Sequence, residues 1–252
     1  MNFGMKKRKT NGPRNIMKTI DPCEIFALDD LNWRFEVYHV GNSNNRILIV
    51  KKFFRNPDKV REFAKSIAYV NTIDGQVSNI PGYVHTIGNL PEISRPIRKI
   101  IKSKFASFET SNYLNKFTFQ SYPVNQDVRE VGLFPHTDNI RYAGVCSLNK
   151  DDEYCGEDNG TALWRRNSTS EEYMSRDYNY RTNYFRDTTP IDKFKYVKCD
   201  PSIAVIDGWS RYHVIPHSYN TMVFYEGTLW HSPYYTASKW KSDRLTFNCF
   251  LD

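Results

Sequence analysis

Two short segments carry residue types that could share one metal ion: Pro135-His136-Thr137-Asp138 and, 93 residues after Asp138, Trp230-His231-Ser232 at the end of TMVFYEGTLWH. In an extended chain residues i and i+2 point to the same side, so His136 and Asp138 offer an imidazole and a carboxylate together. His231 would arrive from a separate strand. Two imidazoles and one carboxylate on one face leave the opposite coordination positions open, which is what iron(II) needs to hold a co-substrate and dioxygen at once. An H-x-D followed at a distance by a histidine also arises by chance, so the triplet needs support from its setting.

That support begins thirteen residues beyond His231, with Arg244 in SDRLTFNCFL. On a strand, Arg244, Thr246 and Asn248 share one face while Leu245, Phe247, Cys249 and Leu251 share the other. An arginine on the inward face of a barrel demands a carboxylate or phosphate partner, because an unpaired buried charge is very costly and a planar guanidinium suits a two-pronged carboxylate. No acid lies on that face of the strand. The remaining histidines read as structural: His213 and His217 flank Val214-Ile215-Pro216 near the presumed barrel mouth, His85 sits in a Gly/Pro-rich loop, and His39 lies close to the N-terminal strand. Of these, only His217 has a neighbourhood that suggests substrate contact.

The elements that must position these residues lie mostly in the second half. From Lys116 onward the chain is a succession of short β-type runs (KFTFQSY, YAGVCSL, TALWRR, SIAVID, TMVFYE, RLTFNCFL), which predicts an all-β sandwich or barrel. Upstream, RILIVKKFF (46–54) predicts a strand and DKVREFAKSIAYV (58–70) a helix whose apolar face is Val60, Phe63, Ala64, Ile67 and Ala68. A second helix is expected over about 91–108, with Ile93, Ile97, Ile100, Ile101 and Phe105 inward, and SNIPGYVHTIGNLP between them reads as a loop. Together these give a mainly β (α+β) fold in which an N-terminal helical layer covers one face of the sheet. The 165–200 segment, with seven aromatics, is too polar for core and too long for a structureless loop, so it reads as a lid-like insertion.

From about Phe117 to Asp252 the sequence resembles the iron(II)/2-oxoglutarate-dependent oxygenases, nearest to their prolyl-4-hydroxylase-like branch. The resemblance is carried, in order, by Phe119-Gln120-Ser121-Tyr122, Pro135-His136-Thr137-Asp138, Val145-Cys146-Ser147-Leu148-Asn149, Asn159-Gly160-Thr161-Ala162-Leu163-Trp164, Met222-Val223-Phe224-Tyr225, Trp230-His231 and Arg244-Leu245-Thr246. It implies a double-stranded β-helix (jelly-roll, cupin-like) core over 116–252, within a single domain of 21–252. It implies that His136, Asp138 and His231 are the catalytic iron ligands, that Arg244 holds the far carboxylate of the co-substrate 2-oxoglutarate, that Thr246 adds a hydrogen bond, and that Tyr122 is a second donor. O2 would be the oxidant and hydroxylation the expected outcome. Halogenation is disfavoured, since related halogenases lack the carboxylate that Asp138 supplies. Where the family commonly shows two glycines in a turn, this chain has Asn159-Gly160, and asparagine also tolerates a turn.

Composition bounds the alternatives. The 252 residues, 40% hydrophobic, suffice for one core. No run of 18 to 20 apolar residues is present and the start lacks a secretory pattern, so a cytoplasmic protein with no membrane contact is expected. The five scattered cysteines read as reduced thiols. Of the formal charge of +7, the first 20 residues carry six positives and no acid, leaving a nearly neutral body behind a basic flexible tail. The insertion has eight Lys/Arg against six Asp/Glu. A nucleic-acid-binding protein using the tail and the Arg/Tyr-rich insertion is thus one alternative, and a catalytically silent jelly-roll binding module another. The substrate, a small molecule or a protein side chain, and the oligomeric state are not legible.

Overall fold

In the computed structural model the described residues are 22–69, 72–73, 76–77, 83–88, 90–105, 116–122, 135–138, 140–154, 159–174, 205–206, 208–235 and 240–251. The basic tail and residues 175–200 of the expected lid lie outside them.

The short helix α1 (Pro22–Ile25) leads into a hairpin of β1 (Arg34–Val40) and β2 (Asn45–Lys51), followed by α2 (Pro57–Ser66). A small hairpin, β3 (Thr72–Ile73) and β4 (Gln76–Val77), precedes β5 (Tyr83–Gly88) and α3 (Pro91–Lys104). The second half holds β6 (Lys116–Tyr122), β7 (Tyr142–Ser147), β8 (Asn159–Arg166), β9 (Val205–Ile206), β10 (Trp209–Pro216), β11 (Thr221–Glu226), β12 (His231–Tyr235) and β13 (Arg244–Leu251).

Seven strands form one antiparallel sheet in the order β1-β2-β11-β7-β13-β6-β5, and four form a second in the order β12-β8-β10-β9. His136 bridges to His231 and so adds the H-x-D segment to the outer edge of β12. Following the chain from β6, successive segments fall in the first sheet, the second (136), the first (β7), the second three times (β8, β9, β10), then first, second and first again (β11, β12, β13). That alternation is the double-stranded β-helix, and it closes the two sheets over a shared interior.

The alternation of side chains along β6 and β13 assigns their faces. Phe117, Phe119, Leu245, Phe247, Cys249 and Leu251 join Leu48, Val50 and Phe224 in the main apolar core, which α2 and α3 cover through Val60, Phe63, Ala64, Ile93, Ile97, Ile100 and Ile101. Phe247 is the hub of this layer, its ring within 5.2–6.1 Å of those of Phe26, Phe54, Phe117 and Phe119. The opposite faces of the two strands look into the interior of the β-helix.

Several expectations need correction. Helix α2 stops at Ser66, not 70: Ile67 is already extended (φ −89, ψ 155), and its last turn is closed by Ser66 Oγ donating to Phe63 O (2.8 Å) and Tyr69 OH donating to Ala64 O (2.8 Å). Ala68 is exposed and drops out of the apolar face, whereas Ile67, half-buried and already extended, still packs against the core. Helix α3 ends at Lys104, with Phe105 as its extended cap. Part of the segment read as a loop forms β5, because Tyr83–Gly88 pairs with the outer edge of β6. Strands β1, β3, β4, β10 and β12 were not foreseen. Asn159-Gly160 is no turn: both residues begin β8 with ordinary negative φ, and Gly160 is required for close approach, since a Cβ there would stand 2.5 Å from Ile215 O.

Candidate metal centre

The H-x-D segment is tied to β12 by two backbone hydrogen bonds, His136 N to His231 O (2.9 Å) and His231 N to His136 O (2.8 Å). A third, Asp138 N to Gly227 O (2.8 Å), fastens it to the turn before β12, while Gly227 N donates to Arg141 O (3.0 Å). Gly227 permits this packing, since a Cβ would meet Ile140 O at 2.6 Å. The stretch between the two segments is thereby folded away, and the imidazoles of His136 and His231 stand 4.4 Å apart between ring centroids. One ligand atom from each of His136, Asp138 and His231 lies within 4.8 Å of the other two.

The donor chemistry of this group fits a cation. His231 Nδ1 lies 2.9 Å from Leu229 O, so it carries the proton and leaves the Nε2 lone pair free, while Nε2 is 3.3 Å from Asp138 Oδ2. A backbone carbonyl that fixes the tautomer is the usual support of a metal-binding histidine. Burial acts most strongly on the Asp138 carboxyl and pushes its pKa up, but the charge and hydrogen bond of His231 and the charge of His136 outweigh it, holding Asp138 below the usual carboxylate value. For His231 burial again acts most strongly, here downward, and Asp138 with the Leu229 carbonyl reverses it to a net rise. Each group thus favours an opposite charge beside it, and for Asp138 a bound cation would fill that role.

The three residues open into a cavity of roughly 460 Å³ that Arg244, Thr246 and Tyr122 also line. Arg244 is 2% exposed. Its Nε donates to Asn159 Oδ1 (3.2 Å), its Nη2 to Gly160 O (3.2 Å), and its guanidinium lies 5.1 Å from the ring centre of Tyr122. Thr246 Oγ1 is buried with no hydrogen-bond partner, a hydroxyl directed into the cavity beside the arginine. An orphaned buried hydroxyl is uncommon and calls for a ligand or water.

Residues without an expected role complete the wall. Tyr225 sets its ring edge-on to His231 at 4.9 Å, and burial with the nearby Asp138 charge pushes its phenol pKa well up, so it stays a neutral phenol, hydrogen-bonded with Thr161. Thr161 Oγ1 is 3.1 Å from His217 Nε2. His217, expected at the mouth, is instead 4% exposed, and burial together with the Arg244 charge lowers its pKa, keeping it neutral. The other histidines lie away from the triad: His213 packs edge-on against Tyr38 (5.9 Å), His85 Nδ1 is 2.8 Å from Ala68 O, and His39 Nε2 accepts from Arg46 (3.3 Å). Among the described residues the only group of three or more such side chains able to hold a metal is His136, Asp138 and His231. Among the same residues no helix is long and apolar enough to cross a membrane.

Comparison with solved structures gives distant likenesses. A prolyl 4-hydroxylase from Phytophthora capsici aligns at TM-score 0.43 with 9% identity, covering 82% of this chain, which spans 58% of the length of that one. A Pseudomonas putida prolyl-4-hydroxylase aligns at TM-score 0.40 with 12% identity over 91% of this chain and 99% of its own. HygX from Streptomyces hygroscopicus, with nickel and 2-oxoglutarate bound, aligns at TM-score 0.39 with 11% identity over 81% of each chain. No match is found among curated proteins. A family model does match, over residues 31–251, from just before β1 to the last residue of β13: the chain belongs to the family of unknown function DUF6445.

Proposed function

We propose that the protein is an iron(II)- and 2-oxoglutarate-dependent dioxygenase that hydroxylates its substrate with release of succinate and CO2. The observation that carries this reading is one cavity holding both the His136/Asp138/His231 group and the buried, pre-anchored Arg244. A metal site alone would fit many chemistries. A buried cation in the same cavity supplies what a dianionic co-substrate needs at its far end.

Bound together, iron(II) and 2-oxoglutarate would supply activation of O2 coupled to decarboxylation of the co-substrate and oxidation of a substrate C–H bond. The chain's own residues bind and orient. His136, Asp138 and His231 would hold the metal, which would supply open positions for co-substrate and O2. Arg244 would pair its guanidinium with a carboxylate, Thr246 Oγ1 would add a donor, and the Tyr122 ring lies against the guanidinium. Ile140, Ala143 and Val145 line the cavity with apolar surface and limit water near the reacting centre. The Asp138 carboxylate at the third metal position favours hydroxylation over halide transfer. A relation to the prolyl-4-hydroxylase-like branch remains part of this proposal.

The test is anaerobic titration with Fe(II) and then 2-oxoglutarate, followed by the weak visible charge-transfer band of the chelate. We expect a band in wild type, none in His136→Ala, and a weakened one needing more 2-oxoglutarate in Arg244→Ala. Wild-type protein that binds the metal yet gives no band and no 2-oxoglutarate binding would sink the oxygenase reading and leave the silent binding module.

A further inference from the structure

The cavity holds a second cationic end that metal and co-substrate leave unused. On its inner wall β6 and β13 run in register with Tyr122 opposite Arg244 at one end, Lys116 opposite Phe250 at the other, and Thr118 opposite Asn248 between. Six residues separate Lys116 from Tyr122, about 20 Å along an extended strand, so a five-carbon diacid anchored at Arg244 does not also occupy Lys116. The Lys116 row continues across the sheet through Phe250 and Ala143 to Tyr225, whose ring stands 4.9 Å from that of His231. The Lys116 row thus ends on a residue that packs against a metal ligand.

Two polar groups wait there. Lys116 is half-buried and makes no ion pair with a described residue. Asn248 is 6% exposed, its Nδ2 donates to Gln120 Oε1 (3.0 Å), and its Oδ1 is buried without a hydrogen-bond partner. A buried acceptor left unmade costs about 1–3 kcal/mol, so a ligand N–H or O–H is the expected complement. Val145 and Phe250 supply an apolar stretch beside them. A single point cation suits a monoanion, and about 460 Å³ suits two small molecules side by side rather than a large substrate.

We propose that Lys116, Thr118 and Asn248 form the substrate subsite and that it takes a free amino acid: the carboxylate pairs with Lys116, the amino group donates to Asn248 Oδ1, and the side chain lies along Val145 and Phe250 toward the metal. This rests on the oxygenase reading. A residue within a peptide would lack the free carboxylate, and that difference makes the proposal testable.

The experiment is calorimetric titration of full-length protein loaded with Mn(II), which does not turn over, first with 2-oxoglutarate and then with each of the common L-amino acids and their carboxamides. We expect at least one amino acid to bind the Mn(II)/2-oxoglutarate protein, its carboxamide to bind at least tenfold more weakly, Lys116→Met and Asn248→Leu each to weaken the acid at least tenfold, and Lys116→Arg to restore most of the affinity. The proposal is overturned if no amino acid binds, if acid and carboxamide bind alike, or if Lys116→Met binds as wild type. Failure of the oxygenase reading shows separately, as 2-oxoglutarate that does not bind or binds equally after Arg244→Ala. Amino-acid binding that depends on Lys116 would in that event still identify the subsite, and its lack would remove it.

Discussion

Arg244 is anchored before any ligand arrives. Asn159 Oδ1 and Gly160 O take two of its donors and the Tyr122 ring supports its plane, so little side-chain freedom remains to be lost on binding. Removing the Asn159 bond should therefore loosen the guanidinium without touching the metal ligands. A hydrogen bond to a charged group is worth about 1.5–3 kcal/mol, which predicts that Asn159→Ala raises the 2-oxoglutarate dissociation constant by roughly tenfold or more at unchanged Mn(II) affinity, measured by calorimetry. Arg244→Lys should lose at least as much, because an ammonium cannot bond Asn159, Gly160 and a carboxylate in one plane. The positions of His136, Asp138, His231, Arg244 and Thr246 around one cavity were legible in the sequence because i, i+2 alternation fixes a face wherever the chain is extended, whatever loops intervene. Asn159 was not, since Asn-Gly is a strong local turn signal and only the pairing of β8 with β10 and β12 overrides it. His217 escaped for the same reason: its contacts with Thr161 and the Arg244 charge come from other strands.

Among elements, the root of the 165–200 insertion is fixed to the β1–β2 turn by one buried carboxylate. Glu172 accepts from Asn42 N (2.8 Å), Ser43 N (3.0 Å), Asn45 Nδ2 (2.8 Å) and Arg165 Nε (3.0 Å). Its own backbone carbonyl accepts from Trp230 N (3.0 Å), one residue before His231. Burial acts most strongly on the Glu172 carboxyl and raises its pKa, but Arg165 and the two amides prevail and hold it below its ordinary 4.5. A carboxyl depressed in the folded state stabilises fully above its unfolded pKa and loses that contribution as pH falls through the folded value. Glu172→Gln should thus cost about 2 kcal/mol in urea unfolding at pH 7 and at pH 6, and the gap to wild type should narrow below about pH 4.5. A gap that stays constant down to pH 3 would show that the neutral acid holds the turn as well as the carboxylate. Strands β6, β11 and β13 matched their sequence runs end to end, because each alternates or fills a buried face. Strand β12 did not announce itself, since HSPYY carries a proline and no alternation and is held by pairing with β8.

At the scale of the molecule, the two faces of the seven-stranded sheet divide stability from chemistry. The helix-covered face centred on Phe247 is apolar, and Phe247→Ala should cost about 3–5 kcal/mol by opening a cavity among the surrounding rings, read as a lower urea midpoint. The inner face carries buried polar atoms that no described residue completes, among them Thr246 Oγ1 and Asn248 Oδ1, so ligands that pair with them should stabilise the fold. Anything that binds the native state alone adds RT ln(1 + [L]/Kd), about 2.7 kcal/mol at a hundredfold excess over Kd, and for a chain of this size each kcal/mol moves Tm by roughly 2–4 °C. Thermal unfolding should therefore rise by several degrees with Mn(II) and again with 2-oxoglutarate. Because the two ligands use different residues, their increments should separate by mutation: Arg244→Ala keeps the metal step and loses the co-substrate step, whereas His136→Ala loses both, since 2-oxoglutarate held at Arg244 alone lacks its second anchor. A 2-oxoglutarate step that survives His136→Ala at full size would mean that the diacid binds the arginine without the metal, and the coupling of the two halves of the cavity would fail with it.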